Sequence, residues 1–183
     1  ECRTADLNQG YFKECKSVEE FETETKIFDN KVPVDFDSVY NSACGQWIKE
    51  KVISLVDTHR PQSIGVSCFS HYNITASLLI LKILKEKFED IPVMIGGYGA
   101  TSPLSFCDEF NLGLVKKDTF AETLKANKLI DTYVTGDGEQ IMLDWIKHKT
   151  DLSHKIYKLD KLEGIPYADY TDLDYKNYQF TNN

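Results

Sequence analysis

Residues 92–103 read Pro-Val-Met-Ile-Gly-Gly-Tyr-Gly-Ala-Thr-Ser-Pro. A short apolar run gives way to two glycines, a tyrosine and a third glycine. The run is too short for a core helix and predicts a strand. Glycines placed directly after a strand mark a backbone that passes close to something, or that needs a positive φ. The partner is a phosphate, a larger ligand, or the next piece of chain.

Outward from this stretch the pattern repeats. Upstream lies "SIGVSCFS", with Ile64, Val66, Cys68 and Phe69 as a second short apolar run. It is followed at once by a helical pattern, and so predicts a strand buried on both faces. Asn73 is placed to cap that helix. Ile74, Leu78, Leu81 and Phe88 mark its buried side, broadened by Leu79, Ile80, Ile83 and Leu84. Downstream, Ser102-Pro103 has the form of a cap followed by proline at the first helical position, which predicts a short helix to about Phe110. A helix over 119–129, a strand "DTYVTG" and a helix from about Glu139 to Lys149 follow, the last burying Ile141, Met142, Trp145 and Ile146. Before the first strand, a helix runs from the Asp35–Ser38 region to about Thr58. Its stripe is Tyr40, Cys44, Trp47, Lys51 and Leu55, widened by Val39, Ile48, Val52 and Val56, and Pro61 stops it.

Strands alternating with helices predict an α/β fold with a doubly wound parallel sheet and right-handed crossovers. One further strand is expected ahead of these. Three units follow: a partly irregular segment at 1–36, an α/β domain at 37–150, and a tyrosine- and aspartate-rich linker at 151–183.

Composition narrows the partners. The 183 residues suit one domain with extensions, and 42% hydrophobic residues suffice for a core. A net charge of −8 with no basic run argues against nucleic acid or an anionic membrane. No apolar stretch approaches bilayer length and no signal peptide is visible, so the chain reads as cytoplasmic. Five scattered cysteines do not form a disulfide framework, and no Cys-x-x-Cys knuckle occurs. The chain starts at Glu1 and not at methionine, as a processed product or a piece of something longer does.

In an open parallel sheet, the loops leaving the strand C-termini line the ligand crevice. Three loops are therefore candidates. The first, Cys68 to Asn73, offers Ser67, Cys68, Phe69, Ser70 and Asn73, with His71 as a ligand or base; Ser70 and Asn73 also suit plain helix capping. The second offers Gly96, Gly97 and Tyr98, where Gly97-x-Gly99 partly matches a dinucleotide fingerprint. The third offers Gly136, Asp137, Gly138 and Glu139, where Glu139 also suits the helix dipole. No nucleophile elbow, P-loop or His-Glu-x-x-His motif occurs, so the loops suggest binding a cofactor that carries its own chemistry.

These loops carry a resemblance. "IGVSCFSHYNITASLLILKILKEKFEDIPVMIGGYGAT" followed by "IDTYVTGDGEQIMLDWI" is similar to the cobalamin (vitamin B12)-binding domain at the N-terminus of many radical S-adenosylmethionine enzymes. That family has an "IGxS" strand, an apolar helix, a "PVxxGGxxAT" strand and "DxVVxGEGE" opening the last helix. Ile64 to Ser67, Pro92 to Thr101 and Asp131 to Glu139 carry the likeness, with Asp137 where the family commonly has Glu. "DLNQGYF" at Asp6 to Phe12 is similar to a segment after the family's second strand. "LDKLEGIPYADYTDLDY" resembles the linker entering the catalytic barrel.

The resemblance implies a flavodoxin-like cobalamin-binding fold that lacks part of its N-terminal strand–helix unit. The corrin ring would cross the C-terminal edge of the sheet. The nucleotide tail would run beside Ser67 to Ser70 and Gly96-Gly97, with Gly136, Asp137 and Glu139 lining the same crevice. The full enzyme would perform methyl transfer or a related radical modification, with a 4Fe-4S cluster and S-adenosylmethionine in a barrel beyond this chain. No Cys-x-x-x-Cys-x-x-Cys is present to hold that cluster, and no Asp-x-His-x-x-Gly to ligate cobalt; His59, His71, His148 and His154 sit in other contexts. Two other readings stay open: a degenerate domain of this kind acting as an interaction module, and a dinucleotide-binding domain.

Overall fold

The structure is a computed structural model that describes residues 3–28, 35–104, 114–148, 151, 153 and 156–157. Four helices come first: α1 (Leu7–Glu14), α2 (Val18–Thr25), α3 (Phe36–Asn41) and α4 (Ala43–His59). Then come β1 (Ile64–Ser67), α5 (Ile74–Lys87), β2 (Val93–Gly96), α6 (Tyr98–Thr101), α7 (Phe120–Ala126), β3 (Thr132–Tyr133), β4 (Thr135–Gly136), α8 (Gly138–His148) and β5 (Ile156–Tyr157). The class is α/β. β1, β2 and β3 form a parallel sheet in that order, and β4 pairs in parallel with β5.

The register assigns each side chain to a face. Ile64 and Val66 pair with Val93 and Ile95, and Tyr133 pairs with Ile95. Side chains alternate along a strand, so these share one face. That face meets the main core: Cys44, Ile48, Val52 and Val56 of α4, the apolar side chains of α5, and Phe120, Ala121 and Leu124 of α7. α5 is buried nearly all round because it is enclosed between the sheet and α4. The opposite face carries Met94 and Val134, which pack with Ile141 and Trp145 of α8 into a second, smaller core. Helices therefore cover both faces of the central strand β2.

Several expectations change. The helix expected over 35–58 is two helices, because Ser42 interrupts it and caps α4 by accepting from the Gly45 amide at 3.0 Å. The α4 stripe is narrower than predicted, since Leu55 is only half-buried. The first segment is more regular than expected. Asp6 caps α1 through the Gln9 amide, Ser17 caps α2 through the Glu20 amide, and Tyr11 packs its ring 5.3 Å from that of Trp47.

No strand precedes β1 among the described residues, where its one strand neighbour is β2. β1 is not buried on both faces: Gly65 and Ser67 are exposed, and Phe69 is 79% exposed. The short helix foreseen after Ser102-Pro103 is displaced. α6 forms on Tyr98–Thr101 itself, and Ser102 leaves the helix in an extended conformation (ψ 142°), as a residue before proline must. Residues 105–113, where the foreseen helix would continue, lie outside the described residues. On α8, Ile141 and Trp145 are buried as expected, but Met142 and Ile146 face outward. "DTYVTG" splits between two sheets. In the tail, Asp151 and Ser153 bind Thr132 and Tyr133, and β5 joins β4.

Candidate functional site

The glycines of Gly96–Gly99 have a local explanation. Gly97 has φ 96° and ψ 161°, a region essentially restricted to glycine. A Cβ there would lie 2.5 Å from the Cys68 carbonyl oxygen, and one on Gly99 would lie 2.2 Å from that of Ser70. The Cys68 amide donates to Gly96 O at 2.8 Å, and the Gly99 amide donates to Cys68 O at 2.9 Å. What passes close to the glycines is therefore the backbone of the first loop. The two loops are locked together at the C-terminal edge of the sheet, and the space at Gly97 and Gly99 is already filled.

That contact decides where the other candidates point. Cys68 is fully buried beneath α6, its thiol 3.5 Å from Ser70 O. Burial pushes this thiol up, outweighing the hydrogen bond with Ser77. Ser70 and Asn73 engage each other: the Ser70 hydroxyl and amide both donate to Asn73 Oδ1, at 2.9 and 3.2 Å, at the turn that opens α5. His71 stacks on Tyr72 with ring centroids 4.0 Å apart. Phe69 and Tyr98 follow the locked positions and project into solvent, at 79% and 76% exposure.

The third loop comes alongside through Val134, whose Cβ lies 3.5 Å from where a Gly96 Cβ would stand. Gly136 takes φ 87°, Asp137 is exposed, and Gly138 starts α8 with Glu139 in its first turn.

Ser67 and Gly96 were candidates from the sequence; Gly65, beside them, was not. By register, Gly65, Ser67 and Gly96 share the sheet face that α8 covers over β2 and β3. Over β1 that face is open: a Cβ on Gly65 would meet nothing within 4 Å, and Ser67 is exposed. A strip of small residues thus runs along β1 to the loop edge. Its signal was present in the alternation Ile64, Gly65, Val66, Ser67, which reads as half-covered and not as doubly buried.

A dinucleotide fingerprint needs a helix opening on its glycines, and α6 ends after four residues. Among the described residues, no three His, Cys, Asp or Glu side chains come together as a metal site. No helix among them is long and apolar enough to cross a membrane. Comparison with protein-family models, curated proteins and solved structures finds no match to this chain.

Proposed function

We propose that this chain is a cobalamin-binding α/β domain of flavodoxin-like type, serving a radical S-adenosylmethionine enzyme in a longer polypeptide. The observation that carries this reading is the open stretch of Gly65 and Ser67 on β1, bordered by Gly96 where it meets Val134, at an edge where three strand-end loops meet. A long, narrow nucleotide tail needs a floor of small residues, and Gly65 with Ser67 supplies one. Gly97 and Gly99 do not contribute space, because the first loop occupies it.

In this reading the Ser67 hydroxyl offers a hydrogen bond on the strip. Phe69 and Tyr98 offer apolar faces to a ring at the edge, and Gly136 to Gly138 form the neighbouring wall. Cys68, Ser70 and Asn73 act indirectly, by holding the first loop against Gly97 and Gly99. Cobalamin, when bound, supplies cobalt-centred alkyl-transfer chemistry. The iron–sulfur cluster and S-adenosylmethionine would belong to the rest of the enzyme, and cytoplasmic placement goes with the same reading.

A second reading, an interaction module without cofactor, is favoured by the loop-to-loop role of the glycines and the exposure of Phe69 and Tyr98. Incubation with hydroxocobalamin followed by gel filtration separates the two. The first reading expects corrinoid absorbance to co-elute with the protein; its absence overturns that reading in favour of the second.

A further inference from the structure

α1 and α4 meet along a seam that carries two thiols. Tyr11 packs its ring 5.3 Å from that of Trp47, and a Cβ on Gly10 would lie 2.8 Å from the same indole. Cys15 stands four positions past Tyr11, and Cys44 stands three positions before Trp47. Residues three or four apart share a helix face, so both thiols belong to the seam. Cys44 is a core residue at 3% exposure, and Cys15 is half-buried against that same core. Both are free thiols.

Their polar ends are neighbours. Burial pushes the Cys44 thiol and the Tyr11 hydroxyl up to about 12 each. Next after burial, Cys15 raises Cys44, and Cys44 raises Tyr11, with Cys15 adding to the latter. Such effects fall off with distance, so the three groups lie close together. The Glu20 and Glu24 carboxylates of α2 face Cys15 and Tyr11, and both raise them further.

We infer that Cys15 and Cys44 are a redox-closable pair, whose disulfide ties α1 to α4. Cys15 ends α1 with an extended ψ of 144°, and its amide donates to Phe12 O at 3.3 Å. Its side chain can therefore turn toward Cys44 without unwinding the helix. The co-reactant is a small disulfide, of which glutathione disulfide is the example. The Cys15 thiolate, the more accessible of the two, attacks one of its sulfurs, forms a mixed disulfide and releases one thiolate. The Cys44 thiolate then attacks the Cys15 sulfur and releases the second. One S–S bond forms in the chain and one breaks in the reagent, and both protons and both electrons end on two small thiols. Because burial holds the thiols protonated, closure is slow at neutral pH and speeds up about tenfold per pH unit. Cys44 belongs to the core on the sheet face opposite Gly65 and Ser67, so closure is separate from the cobalamin reading.

The whole chain, equilibrated with mildly alkaline glutathione redox buffers, quenched in acid and mapped by tryptic mass spectrometry, tests this. The expected result is peptide 14–16 joined to peptide 32–49, and freed again by dithiothreitol. Hydrogen exchange in α1 is expected to slow about tenfold on closure, because the link restrains local opening of that helix. Cys44→Ala is expected to stop at glutathione on Cys15, and the wild-type map stands whether or not that variant folds. The proposal is overturned by a wild type whose Cys15, in the most oxidising buffer, stays reduced, keeps glutathione, or joins any cysteine but Cys44. A link to Cys44 found only in a covalent dimer, or equal exchange of α1 in the open and closed states, overturns it as well.

Discussion

Gly97 and Gly99 show how much a missing side chain can decide. Each sits where a Cβ would overlap a carbonyl of the first loop, and Gly97 adds a backbone conformation closed to other residues. Gly97→Ala is expected to cost at least about 1–3 kcal/mol from backbone strain alone, seen as a lowered midpoint in urea unfolding with unchanged slope. A midpoint equal to the wild type would mean that the loops are not locked as described. Substitution of Gly97 therefore does not separate a binding role from a packing one, because the fold suffers under either. Gly65 does separate them. Its Cβ direction is open, so Gly65→Leu is expected to stay within about 1 kcal/mol of wild-type stability while abolishing retention of hydroxocobalamin. Retention at the wild-type level would remove the strip from the site.

At the scale of elements, local chemistry in the sequence was mostly readable. Ser17 followed three residues on by Glu20, and Thr119 followed by Glu122, are capping-box spacings, and both open helices. In α7, Glu122 Oε2 accepts from the Thr119 amide at 3.0 Å, and Thr119 Oγ1 accepts from the Glu122 amide at 3.2 Å. Thr119→Ala is expected to destabilise by about 1 kcal/mol in chemical denaturation, and an unchanged midpoint would count against the cap. Placement of α6 was harder. Ser102-Pro103 resembles a helix start as closely as a helix stop. The choice fell to the Ser102 and Thr101 hydroxyls, both of which donate to Tyr98 O and close the turn upstream. α8 shows the same limit: its apolar residues cover more than one face, and only the position of Met94 and Val134 selects Ile141 and Trp145.

At the scale of the molecule, one carboxylate carries most of the polar contacts that join Asp151 and Ser153 to the rest of the fold. Asp151 faces Lys125 at 2.7 Å, Thr132 Oγ1 at 3.0 Å, and the Ser153 amide and hydroxyl at 3.0 and 2.6 Å. Burial alone would raise this carboxyl. The hydrogen bonds from Lys125, Ser153 and Thr132 outweigh it and hold the group well below the usual carboxylate range. A depressed folded value stabilises the fold above the unfolded carboxylate pKa, and that contribution is lost as pH falls through the range below it. Acid titration below about pH 4 is expected to release Asp151 and Ser153 from β3 early, read by hydrogen exchange at Ile156 and Tyr157 of β5. Asp151→Asn should make that exchange fast already at neutral pH, and unchanged exchange in the variant would show that the tail is held by other contacts. The pair of Lys125 and Asp151 is half-exposed, so the effect weakens in high salt.

Order along the chain was legible because it rests on short-range chemistry. Apolar period, caps, and glycines after strands placed β1, α5, β2, α7 and α8 to within a few residues. The α/β class and parallel pairing followed, since strands separated by helices can join only through crossovers. The alternation along β1 hinted that Gly65 and Ser67 share a face, but the burial of Cys68, the exposure of Phe69 and Tyr98, and the openness of that face over β1 were settled by packing between distant segments. Each depends on which strand neighbours β1 and on how far α8 extends across the sheet, and neither is encoded by local residue spacing. The glycines of residues 92–103 join the two levels: their types announced a close approach, and the fold supplied its partner, the backbone of Cys68 to Ser70.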